Sequence, residues 1–188
     1  MAEYYPKYKT TLSEGAIEVR DYAEVAVAEV TVAGDRKAAG NAGFKLLAGY
    51  IFGGNAGRRR MAMTSPVVMT SNEDAPVIKT TPASPSNLAS SWLVRFFMPA
   101  GQPLHTLPAP DDSRVNLRNA PASRIATLRF SGLASEVAIR RKTEELQSFL
   151  KAHRMRSAGH SYLARYNPPW TLWFMRRNEV MIPLDGTG

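Results

Sequence analysis

The chain has 188 residues and a formal net charge of +8, with 44% hydrophobic and 21% charged side chains, which is enough for one soluble globular domain with a packed core. It contains no cysteine, which excludes disulfides, iron–sulfur clusters, thiolate zinc sites and cysteine nucleophiles. No apolar run reaches the length of a membrane span, and MAEYYPKYKT at the start lacks the basic-then-apolar profile of a signal peptide, so a cytoplasmic location is expected unless a leader has been removed.

The segment IEVRDYAEVAVAEVTVAG, residues 17–34, reads as a short strand, a turn near Asp21–Tyr22 and a longer strand with alternating stretches. A helix is predicted over 35–52, where Ala39, Ala42, Leu46 and Tyr50, and also Phe44, Leu47 and Ile51, recur at helical spacing. Gly40, Gly43 and Gly49 each cost this helix about 1 kcal/mol relative to alanine. Their shallow faces suit either close packing on a sheet or a ligand cleft. GGNAG at 53–57 follows the helix instead of opening one, so it reads as a stop with Gly53 or Gly54 as left-handed cap, and not as a phosphate loop. A basic tip, Arg58 to Arg60, leads into RMAMTSPVVMT, a predicted strand with Met61, Met63 and Met69 on one face. Residues 72–91 are rich in Pro, Ser, Thr and Ala and read as a long surface loop. WLVRFFMP then completes a first half, and the proline-rich 99–113 connector, which carries His105, leads to a second.

That second half repeats the first. VNLRNAPASRIATLRFSG, residues 115–132, aligns with 17–34 without a gap, matching Arg20 with Arg118, Asp21 with Asn119, Ala28 with Ala126 and Gly34 with Gly132. A helix over 135–153 follows, with Ile139, Thr143, Leu146, Leu150 and His153 in one stripe, and then the strands SYLARYNPP and NEVMIPL. The plan is βαββ twice. It predicts one α+β domain spanning residues 1–188, with half-repeats over about 17–99 and 115–184 and a pseudo-two-fold axis. Its antiparallel sheet curls into a distorted barrel with two packed helices.

Chemistry is sparse. There is no G-x-S-x-G, no P-loop, no dinucleotide fingerprint and no pair of histidines at metal-ligand spacing, so neither enzymatic activity nor a metal site is expected. The basic clusters are unaccompanied by an RNA-binding aromatic signature or zinc-finger spacing, so nucleic acid is not the expected partner. YNPPWTLWFMRRNEV, residues 166–180, combines Trp170, Trp173 and Phe174 with Arg176 and Arg177. Indole faces followed by guanidinium forks suit a flat apolar ligand with carboxylates at its rim. Methionine can ligate haem iron, but core packing is the default reading of Met61 and Met63. Glu179 and Tyr166 are the acid and phenol that a small hydrolase would use. The alternative is a buried Glu179 paired with Arg20, Arg118 or Arg177.

Taken together, IEVRDY, GYIFGGN, MAMTSPV, RFFMP and YNPPWTLWFMRRNEVMIPL resemble the SOUL haem-binding protein family from about Ile17 to Leu184. The resemblance implies two βαββ units forming a distorted barrel with helices outside, a scaffold similar to the gyrase-inhibitor-like ligand-binding domains. It also implies a carrier or buffer for haem or another tetrapyrrole, with a shallow pocket between the first helix (37–52) and the loop before the last strand (168–176). Lys37, Asn41, Phe44, Lys45, Ala48, Met63, Trp170, Trp173 and Arg176 would line it. The alternative function is a small-molecule hydrolase or effector-binding domain on the same scaffold. Some family members carry a histidine, proposed as an axial ligand, where this chain has Asp21. Positions that are basic in other members are Asn41, Gly49 and Thr171 here, with Arg36, Lys37, Lys45 and Arg176 nearby. Haem, if bound, is therefore expected without a histidine axial ligand and about as tightly as iron-free protoporphyrin, and Asp21→His is expected to strengthen haemin binding alone.

Overall fold

The computed structural model describes residues 6–71, 91–99, 101–167 and 171–186. In chain order the elements are β1 (Tyr8–Glu14), β2 (Ile17–Tyr22), β3 (Val25–Ala33), α1 (Arg36–Ile51), β4 (Val67–Ser71), β5 (Ser91–Phe97), β6 (Asn116–Ala120), β7 (Ser123–Ser131), α2 (Glu136–Ala152), β8 (Tyr162–Arg165) and β9 (Arg177–Pro183). The strands form one curled sheet in the order β1-β2-β7-β9-β8-β4-β5-β3-β6, with every pairing antiparallel.

Leaving β1 aside, that order is a palindrome of the two halves. Exchanging β2 with β6, β3 with β7, β4 with β8 and β5 with β9 reproduces it, so the pseudo-two-fold axis passes between β4 and β8. The first strand of each half crosses to the other: β2 pairs with β7 and β6 with β3, aligning Arg20 with Ile125 and Arg118 with Val27.

The helices lie on the outer face. Both begin at side-chain caps, Asp35 accepting from the amides of Lys37 and Ala38, and Ser135 from that of Ala138. Leu47, Tyr50 and Ile51 of α1 pack on Val30, Val94 and Phe96, while Ile139, Leu146 and Leu150 of α2 pack on Leu128, Val180 and Ile182. Side chains alternate across the sheet as its pleat requires: Val67 and Met69 join the α1 core, and Val68 between them joins a third cluster on the inner face with Ile125, Ala164, Tyr166 and Met181.

The glycines of α1 divide by position. A Cβ on Gly43 would lie 2.5 Å from Cγ2 of Val94, so here the shallow face serves close packing on β5. Gly53 is the left-handed residue after the helix, at φ 117°. Behind it the buried Asn55 donates to the carbonyls of Tyr50 (2.6 Å) and Arg59 (2.8 Å), and accepts from the Arg59 amide (2.9 Å). The basic tip is thus a hydrogen-bonded turn.

Two elements differ from the sequence reading. β1 was not expected, because in YKTTLSE only Leu12 packs against a core. The strand expected from Arg60 begins only at Val67. Met61 is tied instead to the end of α1 through its amide and the Ile51 carbonyl (2.9 Å), and the Ser65–Pro66 peptide is cis. The expected surface loop at 72–91 falls, up to residue 90, outside the described residues.

Candidate functional site

α1 and α2 cover opposite halves of the sheet, and the central strands β4 and β8 run beneath the seam between them. Gly40 of α1 faces this seam: a Cβ there would sit 3.3 Å from the Met69 sulfur on β4. At about 100° per residue, Lys37, Asn41, Phe44 and Ala48 fall on the same flank of the helix, with Lys45 just beyond. Phe44 is partly buried and meets Phe96 edge-on at 5.5 Å. Met63 is partly buried in the same cluster. The floor continues across β4 and β8, where Val67 faces Arg165 and Met69 faces Leu163 in register.

The seam is basic at its end near the helix N-termini. Arg36 lies 3.4 Å from Glu136 of α2 and stacks over Trp92, its guanidinium carbon 4.9 Å from the ring centroid. Its Nη1 is buried and has no hydrogen-bond partner among the described residues. On β8, Arg165 is held below the usual guanidinium range by burial and by repulsion from Arg36 and Arg176, with Glu136 opposing. Arg176 donates from Nε to the Thr171 carbonyl at 2.8 Å. Arg36, Arg165, Arg176 and Glu136 therefore share one field, and a mostly basic cluster of this kind attracts an anionic ligand.

The structure thus gathers Lys37, Asn41, Phe44, Ala48 and, close by, Lys45 along one flank, and electrostatics links Arg176 to its N-terminal end. Trp173 lies on a short helical turn before β9, 58% exposed and edge-on to Phe174 at 5.6 Å. The hollow beside that turn lies between Phe174 to Arg177 and the residues Gly15, Ala16 and Arg129 to Ser131, at the β1–β2 turn and the end of β7, and no residue of α1 lines it. Trp170 lies outside the described residues. Arg165 was missed. Its only sequence signal was the alternation in SYLARY, which sets it opposite Tyr162.

No histidine approaches the seam. His105 is in the connector, His160 is exposed, and His153 at the end of α2 bonds Glu14 of β1 at 3.0 Å and stacks on Phe149 at 4.0 Å. Among the described residues no group of three His, Cys, Asp or Glu side chains could hold a metal ion. Asp21 is clamped to Arg124 of β7 at 2.7 Å, which holds its carboxyl below the usual range. Its strand lies three strand spacings from β8, roughly 14 Å. A histidine at position 21 would not reach the seam, so the expected gain from Asp21→His does not carry over to this site.

On the inner face, Glu179 is fully buried. It accepts from Arg20 (2.8 and 3.1 Å), Arg177 (2.7 and 3.2 Å) and the Tyr166 hydroxyl (2.5 Å). Of the three arginines expected as partners, Arg118 goes elsewhere, to Glu29 at 2.7 Å. Burial pushes the Glu179 carboxyl up, but the hydrogen bonds and charges of Arg20, Tyr166 and Arg177 outweigh it and hold the acid below its usual range. A carboxylate held in this way is a weak base.

A family model described as SOUL heme-binding protein matches residues 4–183. No curated protein matches significantly. Among solved structures, an uncharacterized conserved protein from Listeria innocua superposes with a TM-score of 0.64 at 13% identity, covering 90% of this chain and 92% of that one. A hydrolase from the same organism gives 0.59 at 14%, covering 90% and 91%, and the C-terminal domain of EcmrR gives 0.60 at 11%, covering 95% and 98%. At these identities the likeness shows a shared fold. No described helix is long and apolar enough to cross a membrane.

Proposed function

This chain belongs to the SOUL heme-binding protein family, and we propose that it binds haem or a related tetrapyrrole dicarboxylate along the seam between α1 and α2, as a carrier or buffer. The observation that carries this reading is Arg165 of β8 lying in the field of Arg36 and Arg176, with Glu136 beside Arg36 at 3.4 Å. Guanidiniums gathered at this end suit the two propionates of a porphyrin. Bidentate guanidinium–carboxylate bonds are among the stronger polar contacts a protein offers. The flank of Gly40, Phe44 and Ala48 presents a low, apolar wall to the macrocycle. Bound haem would supply a redox-active iron centre, with Arg36, Arg165 and Arg176 as the residues that would hold its acids. The residues here fit the porphyrin and its acids but bring no imidazole to the metal.

Affinity then rests on apolar burial and salt links, both indifferent to iron. Titrating the protein with haemin and with protoporphyrin IX, followed by absorbance and tryptophan quenching, should give affinities within about threefold of each other. Asp21→His should leave both unchanged. Reversing Arg165 and Arg176 to glutamate should weaken both by at least about tenfold, since each lost charge-assisted bond is worth about 1.5–3 kcal/mol. The reversed charges would still pair with Arg36, so the fold is preserved. A bis-histidine haem spectrum, or an affinity untouched by the double reversal, would overturn the assignment.

A further inference from the structure

Eight large apolar side chains are exposed among the described residues, and six of them fall on two segments. Leu133 and Val137 lie between β7 and the first turn of α2, and Leu172, Trp173, Phe174 and Met175 precede β9. β7 and β9 join these segments. Ser131 faces Arg177 in register, the Asn178 side chain donates to the Gly132 carbonyl at 3.0 Å, and the short helical turn (Trp173–Met175) packs on β7. The six therefore stand at one end of the sheet. Contiguous exposed apolar surface of this kind marks a binding face.

Shape decides what covers it. Leu172 to Met175 are consecutive, and all are more than half exposed. In a turn with about three residues per revolution they radiate on every side. A rigid partner would need a deep socket to enclose them, whereas a fluid bilayer closes around such a tip. The backbone suits entry too. The Met175 amide donates to the Leu172 carbonyl (2.9 Å), the Arg176 amide to that of Trp173 (3.3 Å) and Arg176 Nε to that of Thr171 (2.8 Å). These carbonyls are satisfied without water, as an apolar phase requires.

Charge fixes the kind of bilayer. Residues 129–142 and 165–177 hold seven Lys or Arg and a single acid, Glu136. Glu136 stands against Arg36 at 3.4 Å, Lys142 is taken by Glu145 (2.7 Å) and Arg177 by Glu179 (2.7 Å). Arg129, Arg140 and Arg141 are exposed and form no ion pair among the described residues. Arg129 borders the same hollow as Phe174 and Met175, and Arg141 is one helical turn beyond Val137 on the same face of α2. The acids at the nearby β1–β2 turn are held elsewhere, Glu14 by His153 (3.0 Å) and Glu18 by Arg20 (2.7 Å).

We propose that this end of the sheet docks on an anionic phospholipid bilayer, the Leu172–Met175 tip entering the boundary between headgroups and acyl chains and Arg129, Arg140 and Arg141 meeting lipid phosphates. Apolar burial anchors the tip, its indole and phenyl rings being suited to that boundary, and charge selects the lipid. The docking is independent of porphyrin binding in the seam.

The test uses the full chain without haem and two kinds of vesicle, phosphatidylcholine alone and phosphatidylcholine mixed equally with phosphatidylglycerol, read by co-sedimentation. Binding to the mixed vesicles should be at least about tenfold tighter than to the neutral ones, and it should weaken as salt is raised. Trp173→Ser combined with Phe174→Ser, at two exposed rings that meet edge-on, should weaken binding to both by at least about tenfold. Arg129→Gln combined with Arg141→Gln should remove most of the preference for mixed vesicles and leave neutral binding where it was. Because the chain has no cysteine, Phe174→Cys and Ser148→Cys each accept one environment-sensitive fluorophore. The label at 174 should shift to shorter wavelength on mixed vesicles, and the label at 148, far along α2, should not. That readout stands even if a paired variant failed to fold. Absence of binding to mixed vesicles, equal binding to neutral ones, indifference to either pair of substitutions or an unshifted label at 174 would each overturn the proposal. So would a dimer abolished by the serine pair in place of vesicle binding, since the tip would then belong to a second copy. None of these variants touches Arg36, Arg165 or Arg176, so haemin titration of the same proteins reports on the seam separately.

Discussion

Glu179→Gln will destabilise the protein by about 3–5 kcal/mol, the usual cost of removing one partner from a buried ion pair and leaving the other uncompensated. Arg20 has a side chain 3% exposed, and its guanidinium is spent on Glu179, Glu18 and Tyr22. Without the Glu179 charge it retains only the half-exposed Glu18 as a counter-ion. Glutamine keeps the volume and one acceptor oxygen, so the loss measures charge and not packing. Urea denaturation should show a lower midpoint with an unchanged slope. Glu29→Gln is the internal control. Its arginines are 15% and 26% exposed, so water takes up part of their charge, and the loss should be about half as large.

The same carboxylate sets an acid limit. Its folded pKa is depressed below the ordinary glutamate value of 4.5. A depressed acid contributes stability that is fully present above its unfolded pKa and is lost as pH falls through the folded one. The gap between wild type and Glu179→Gln should therefore be constant near neutrality and close progressively below about pH 4.5.

How this cluster forms explains what the sequence could and could not reveal. The repeat aligned Arg20 with Arg118, and the structure gives each a carboxylate, but the carboxylates sit on non-equivalent strands: Glu179 on β9 and Glu29 on β3. The choice among three arginines for Glu179 depended on β2 crossing to pair with β7, a long-range event with no local signature. Elements governed by local rules were legible. Both helices start at capping residues that precede a 3.6-residue pattern, and both lie within a residue or two of the expected bounds. The seam flank of α1 followed from the same periodicity. Arg165 did not, because its nearness to Arg36 and Arg176 arises where β4 meets β8 and the two halves join. A cavity on the inner face was invisible for a similar reason, since Tyr22, Phe97 and Tyr162, which line it, come from distant segments that only the curl of the sheet brings together.

Two chemically identical substitutions in α1 should act in opposite directions. Gly49→Ala adds a methyl where nothing lies within 4 Å, so it should stabilise the helix by up to about 1 kcal/mol through propensity and a less flexible unfolded chain. Gly43→Ala gains the same propensity, yet its Cβ would lie 2.5 and 2.8 Å from Cγ2 and Cβ of Val94. Val94 is 1% exposed, β-branched and fixed in the middle of β5, so neither a rotamer change nor a small strand movement relieves the clash. The helix must lift from the sheet, and overpacking of this kind costs about 1–3 kcal/mol. Lifting also loosens Leu47 and Ile51, which are fully buried on the same face. A net loss of about 2 kcal/mol is expected, read as a lower thermal midpoint beside the raised midpoint of Gly49→Ala. Val94→Ala decides whether contact is the cause. It removes Cγ2 and Cγ1 and leaves only the Cβ contact at 2.8 Å, so in that background Gly43→Ala should cost at least about 1 kcal/mol less than it does alone, a coupling typical of residues in direct contact. Additive losses would instead mean that Gly43 is needed for its backbone freedom. Its φ is not among the positive ones, which leaves close approach to β5 as the physical reason for a glycine at this position.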